Sequence, residues 1–195
     1  MHRLVTRLTL STLAILCVLA LASRDAVAAS GGVDITLGSS KELLFTGLAD
    51  GGTYTFEYDP TCANNAAYNG KPCYMFTAGQ GMVGVPISSS ACKAQMGSSG
   101  TPSAATCPAT GVSGVTILLK HGGLLSIPDV KGHPGTACSP APVLVKTGNG
   151  VNVVTLNDGC HETLDCSSAG PGSLASGDVD AADTIKGRCT SLVKH

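Results

Sequence analysis

An all-β fold is what this 195-residue sequence predicts: a disulfide-bonded, β-sandwich-like N-terminal part packed on a short β-roll or solenoid-like C-terminal part. Three observations carry that reading. Short runs of strand character recur along the chain between Gly, Asp and Asn turns, with no helical run of useful length. Eight cysteines follow an export-type leader. Finally, Gly150 and Gly159, Asn152 and His161, and Val154 and Thr163 each stand nine positions apart in TGNGVNVVTLNDGCHETL.

The leader comes first. Residues 1–29 place Arg3 and Arg7 ahead of an apolar run from Leu8 to Ala22, followed by Ala26-Val27-Ala28-Ala29. That is the pattern of a secretory signal peptide, cut after Ala28 or Ala29. A membrane span needs about 20 apolar residues, and this run of 15 ends at Arg24 and Asp25, so no membrane span is expected once the signal is removed. Cys17 follows Leu16 rather than a small residue, which argues against a lipoprotein attachment site. A secreted or periplasmic location follows.

Removal of Arg3, Arg7, Arg24 and Asp25 leaves nine Lys or Arg against twelve Asp or Glu. Such a chain has no basic footprint for nucleic acid. Only seven aromatics and no Trp are present, so core contacts must come mainly from Val, Ile and Leu, and cross-links are needed. Cys62, Cys73, Cys92, Cys107, Cys138, Cys160, Cys166 and Cys189 form an even set, read as four disulfides in an oxidising compartment. Connectivity is formally open, with about 105 possibilities. Pairing between neighbours (62 with 73, 92 with 107, 138 with 160, 166 with 189) closes the shortest loops. Zinc at Cys160, His161 and Cys166 is disfavoured, because no Cys-x-x-Cys knuckle is present.

In the N-terminal part, residues 30–110, strands are expected at VDITL (33–37), ELLFT (42–46), TYTFEY (53–58), CYMFTA (73–78) and MVGVPI (82–87). TYTFEY alternates, with Tyr54, Phe56 and Tyr58 on one face and Thr53, Thr55 and Glu57 on the other, as a half-buried strand does. Asp50-Gly51-Gly52 ahead of it is a turn signal. AQMGSSGTPSAATCPAT, rich in Gly, Ser and Pro, reads as a surface loop tied by Cys92 and Cys107. In the C-terminal part, residues 111–195, the strands are GVSGVTILLK, LLSIPDV (124–130), PVLVK (142–146), VNVVTL (151–156), ETLDC (162–166) and DTIKG (183–187).

The nine-residue units carry the chemistry. Thr147-Gly148-Asn149-Gly150-Val151-Asn152-Val153-Val154-Thr155 keeps two turn glycines, an oxygen-bearing sixth residue and an apolar eighth, and Leu156 to Leu164 follows in register. With ATCPATGVSGVTILL, LDCSSAGPGS and the acidic DVDAADTIKGRC, residues 105–189 resemble the calcium-binding, RTX-like β-roll proteins exported by bacteria. The resemblance implies glycine turns whose carbonyls face calcium, a sixth-position Asp that ligates it, and closing cysteines matching Cys166 and Cys189, with Cys92 and Cys107 matching a second pair. The chain departs from that pattern in Lys120-His121-Gly122-Gly123, which offers no carboxylate, and in His161 at the sixth position of the second unit. Asn149, Gly150, Asn152 and Asp158 remain as the donor set for one calcium ion.

Asp178, Asp180 and Asp183 resemble half of an EF-hand loop but lack its turn Gly and terminal Glu, so a solvated turn is the better reading. For catalysis, His121, His133 and His161 each sit in a turn, and neither G-x-S-x-G nor H-E-x-x-H occurs. The expected function is therefore non-enzymatic: an exported, calcium-binding protein of structural or adhesive role, meeting a protein or cell-surface partner. The alternatives are a disulfide-rich recognition module that contacts its partner through residues 94–110, and a secreted hydrolase using His121 or His133.

Overall fold

The computed structural model describes residues 33–47, 51–63, 68, 70–79, 90–96, 102–128, 137–170 and 173–195. They are all β and turn, with no helix among them long and apolar enough to cross a membrane. The strands are β1 (Val33–Leu37), β2 (Glu42–Gly47), β3 (Gly52–Asp59), β4 (Cys73–Ala78), β5 (Lys93–Met96), β6 (Pro102–Pro108), β7 (Gly114–Leu119), β8 (Gly123–Ser126), β9 (Val143–Thr147), β10 (Val151–Leu156), β11 (Glu162–Asp165), β12 (Leu174–Val179), β13 (Thr184–Lys186) and β14 (Ser191–Lys194).

Two sheets face each other, a six-stranded one in the order β1-β2-β7-β9-β11-β13 and an eight-stranded one in the order β14-β12-β10-β8-β3-β4-β6-β5. β2, β7, β9, β11 and β13 are parallel neighbours in the first sheet, and β3, β8, β10, β12 and β14 are parallel neighbours in the second. The chain thus climbs in rungs, β2–β3, β7–β8, β9–β10, β11–β12 and β13–β14, each crossing from one sheet to the other. It is a two-sheeted parallel solenoid, extended by β1 on the first sheet and by the antiparallel β4, β6 and β5 on the second. Both sheets run unbroken through residue 110, so the N-terminal part supplies the first rung and is not a separate layer.

Register places like on like. In the six-stranded sheet Phe45, Ile117, Val145, Leu164 and Ile185 form one inward column. Opposite it, Tyr54, Leu125, Val154, Gly177 and Leu192 form another. Aliphatic columns suit a parallel sheet that is buried on its inner face. Gly177 has a packing reason: a Cβ there would lie 2.7 Å from Leu164 Cδ2, so the neighbouring leucine already fills the space. The few aromatics gather at the first rung, where Phe45 stacks on Phe76 at 4.8 Å and meets Phe56 edge-on at 5.8 Å, joining the sheets. Tyr54 and Phe56 are fully buried, as the alternation in TYTFEY predicts, and Tyr58 packs partly buried against them.

Four disulfides, Cys62–Cys73, Cys92–Cys107, Cys138–Cys160 and Cys166–Cys189, realise the neighbour pairing. They mark a protein that folds in an oxidising environment, extracellular or periplasmic. The supposed loop from Ala94 to Thr110 is different from expectation. Lys93–Met96 and Pro102–Pro108 are strands, and Ala104, Ala105, Thr106 and Cys107 are buried. Small side chains are what this position requires: β6 pairs with β4, opposing Phe76 with Ala105 and Tyr74 with Cys107, so bulk on one strand is met by little on the other. The expected strand 82–87 lies outside the described residues, as does His133.

Candidate functional site

The turns between β-strands decide what the nine-residue repeat does. Gly122 and Gly150 both close a crossing from the six-stranded to the eight-stranded sheet, at φ 85° each. Glycine is needed there for space as well as conformation, because a Cβ at Gly122 would lie 2.7 Å from the Val151 carbonyl oxygen and one at Gly150 2.9 Å from that of His121. Gly159, at φ 83°, belongs to the return turn at the far end of β10. A nine-residue step therefore moves from one edge of the solenoid to the other.

That geometry disperses the predicted calcium ligands. Asn149, Gly150 and Asn152 stand at the start of β10, and Asp158 stands beyond its end, a strand of six residues away, or about 20 Å. Nor are the backbone oxygens near Asn152 free, although its own Oδ1 is buried without a hydrogen-bond partner. Its fully buried amide nitrogen donates to the carbonyls of Gly148 (3.0 Å), Gly150 (3.3 Å) and Leu174 (3.4 Å), so the carbonyls that would face an ion are already satisfied by protein. Asn149 Oδ1 accepts from the backbone N–H of Gly170 at 3.1 Å, and the Gly150 N–H donates to Ser173 Oγ at 3.0 Å, stitching this turn to the next rung. The turn is glycine-shaped and held by an internal asparagine.

Asp158 joins a different group. Glu162 begins β11, and its register partner on β9 is Val143, which pairs with Val115, which pairs with Leu43. Asp183 directly precedes Thr184, the partner of Thr163, and so continues the Glu162 column. Three aliphatic positions are thus followed by two carboxylates. Asp158, Glu162 and Asp183 are 2%, 3% and 5% exposed. One ligand-capable oxygen each from Asp158 and Glu162 and the Cys160 sulfur lie within 4.8 Å of one another. Cys160 is spent in its disulfide with Cys138 and offers no thiolate.

Backbone donors hold two of the three carboxylates. Asp158 Oδ1 accepts from Cys160 N–H at 2.9 Å, and Asp183 accepts from Glu162 N–H at 2.8 Å with one oxygen and from Asp180 N–H at 2.8 Å with the other. Asp180 in turn accepts from Gly159 N–H at 2.5 Å, so β11, β13 and the two turns beside them form one knot. Glu162 Oε2 is buried without any hydrogen-bond partner. Burial, with the charges of Asp158 and Asp183 beside it, pushes the Glu162 carboxyl up to about 9. Burial and the charge of Asp183 also raise Asp158, against the lowering effect of the Cys160 N–H.

Reading the sequence for nonapeptides misses Glu162 and Asp183 as partners. The signal that finds them is the 21-residue offset between Glu162-Thr163-Leu164 and Asp183-Thr184-Ile185, two rungs that match acid, threonine and aliphatic in turn before Asp165 meets Lys186. Asp178 and Asp180 separate from them. Asp178 faces outward from β12, where its Oδ1 lies 2.9 Å from His195 Nε2. His121 and His161 are exposed at opposite edges of the solenoid, one in each kind of turn. No family model, no curated protein and no solved structure matches the chain.

Proposed function

We propose that this is an exported, non-enzymatic solenoid of structural, self-adhesive role, whose working surface is the outer face of the eight-stranded sheet. The observation that carries this reading is a partly apolar, sparsely charged stretch of that face, laid out in register across β8, β10 and β12. Leu124 pairs with Val153, and Val151 pairs with Leu174; all four point away from the core and are exposed, Val151 by 59%. Val193 adds a fifth exposed aliphatic on β14. Thr53, Ser126, Thr155 and Ser176 fill the positions between them, and within β8, β10 and β12 the only charge is Asp178, which His195 partners.

Contiguous exposed apolar surface of this kind marks an association site. The occupant that fits is a second copy of the same chain. Two such faces bring little charge to the contact, although the chain as a whole carries an excess of acid, and a self-complementary face suits a two-fold pair. Sedimentation of the oxidised protein tests it. Reversible dimerisation at micromolar concentration is expected, abolished by Leu124→Lys combined with Val153→Lys while the melting temperature is kept. A monomer at all concentrations, or dimers indifferent to the double substitution, would overturn the reading.

A further inference from the structure

We propose that Asp158, Glu162 and Asp183 form a binding site for one hard divalent cation, of the calcium class, at the turn that joins β10 to β11. This site is distinct from the glycine turn at Asn149 to Asn152 and independent of the self-association reading. Its starting point is Glu162 Oε2, a carboxylate oxygen shut off from solvent and given no donor by the protein. The same column holds Leu43, Val115 and Val143 in the preceding rungs, so an aliphatic side chain fits the space without cost. A carboxyl there, beside two more, must keep a proton or meet positive charge to offset its burial, and a cation seated among the three carboxylates takes the place of that proton. Among the described residues no Lys, Arg or His forms an ion pair with any of the three.

The donor set selects the ion. Cys160 is the one soft atom nearby, and the disulfide to Cys138 removes it as a ligand, so the side-chain donors are all carboxylate oxygens, the preference of hard cations and not of zinc or copper. Asp158 spends one oxygen and Asp183 both on backbone N–H groups, one bond to each oxygen, which fixes the carboxylates and leaves further lone pairs. Oxygens of Asp158 and Glu162 already lie within 4.8 Å of each other at a turn pinned by Cys138–Cys160, and Asp183, from the next rung, joins them through its bond to the Glu162 N–H. An irregular, closed cluster of this sort suits calcium, with its flexible coordination, over magnesium, which retains several waters and demands an octahedron.

Calorimetric titration decides it, with oxidised full-length mature protein stripped by chelator and calcium chloride as the probe. Three carboxylates predict one ion bound with a dissociation constant at or below about 10⁻⁵ M, magnesium at least tenfold weaker, and a rise in melting temperature on adding calcium. Glu162→Gln keeps the shape and should weaken calcium at least tenfold while melting no lower than the calcium-free parent, which shows that it folds. Asn149→Ala, in the glycine turn, should bind as the parent does. No binding at millimolar calcium would overturn the site, as would binding indifferent to Glu162→Gln or lost in Asn149→Ala. Equal affinity for magnesium would overturn the assignment to calcium.

Discussion

Glu162 lies in register beside Val143 in the inward column of the six-stranded sheet, a carboxylate placed where three preceding rungs carry an aliphatic side chain. Its burial is complete enough to hold the proton to about pH 9, against an ordinary value of 4.5. Polar burial of this kind works against stability unless a partner is supplied.

The pH dependence of the calcium-free protein follows. A raised carboxyl means that between roughly 4.5 and 9 the folded state keeps a proton that the unfolded state has released. The contribution of Glu162 to stability therefore falls as pH rises through that window, by up to about 1.4 kcal/mol per pH unit, and is level below and above it. Asp158, shifted in the same direction, steepens the acid end, and Asp183 and Asp180 face the same cluster. Urea melts between pH 5 and pH 9 should show the decline, and Glu162→Gln should flatten it. An unaltered slope in that variant would assign the effect to other groups.

Asn152→Asp separates an internal hydrogen-bonded turn from a calcium turn. The amide nitrogen faces three backbone carbonyls. A carboxylate in its place sets negative oxygen against them and leaves them unsatisfied, at a cost of about 3 kcal/mol or more. The expected result is a lower melting temperature that calcium does not restore. Restoration by calcium would favour the β-roll chemistry that the Gly-x-Gly-x-Asn pattern resembles.

Phe56→Ala should cost about 3 to 5 kcal/mol. Phe56 is 1% exposed and touches both Phe45 and Tyr74, so truncation opens a cavity between the sheets where the aromatics are concentrated. A denaturant midpoint within error of the parent would contradict this packing.

How far the sequence discloses the molecule depends on where each strand gets its stability. Strands rich in Val, Ile and aromatics, such as Tyr54 to Tyr58 and Val151 to Leu156, announce themselves by alternation. Leu174–Val179 and Ser191–Lys194 do not: LASGDV and SLVK have little strand character of their own, and are strands because β10 and then β12 offer a parallel edge to extend. Pro102–Pro108 is hidden for the same reason, its alanines chosen by the Phe76 and Tyr74 side of β4. For the site, Asp158 is visible as an acid in a turn, but Glu162 and Asp183 meet only through the 21-residue rung offset, which a nine-residue search passes over. The glycines at 150 and 159 do mark turns, each with positive φ, while saying nothing of which edge each turn occupies.

The last rung offers a test of how the solenoid ends. β13 and β14 are edge strands with largely exposed side chains, each held by one neighbour only. Cys166–Cys189 ties this rung to the end of β11, the cysteines standing 23 positions apart; closing a loop of that size in the unfolded chain is worth about 3 kcal/mol. Replacing both cysteines by alanine should therefore loosen the last rung before the rest. Hydrogen exchange should rise in 184–194 and stay slow in β7, β9 and β10, since those strands keep both neighbours. Asp183 travels with the loosened segment, so the contact between its Oδ1 and the Glu162 N–H should be lost together with it. If calcium bridges Asp183 to Glu162 and Asp158, saturating calcium should slow exchange in 184–194 of the double variant. Uniformly faster exchange throughout the chain would show instead that the rungs unfold as one unit.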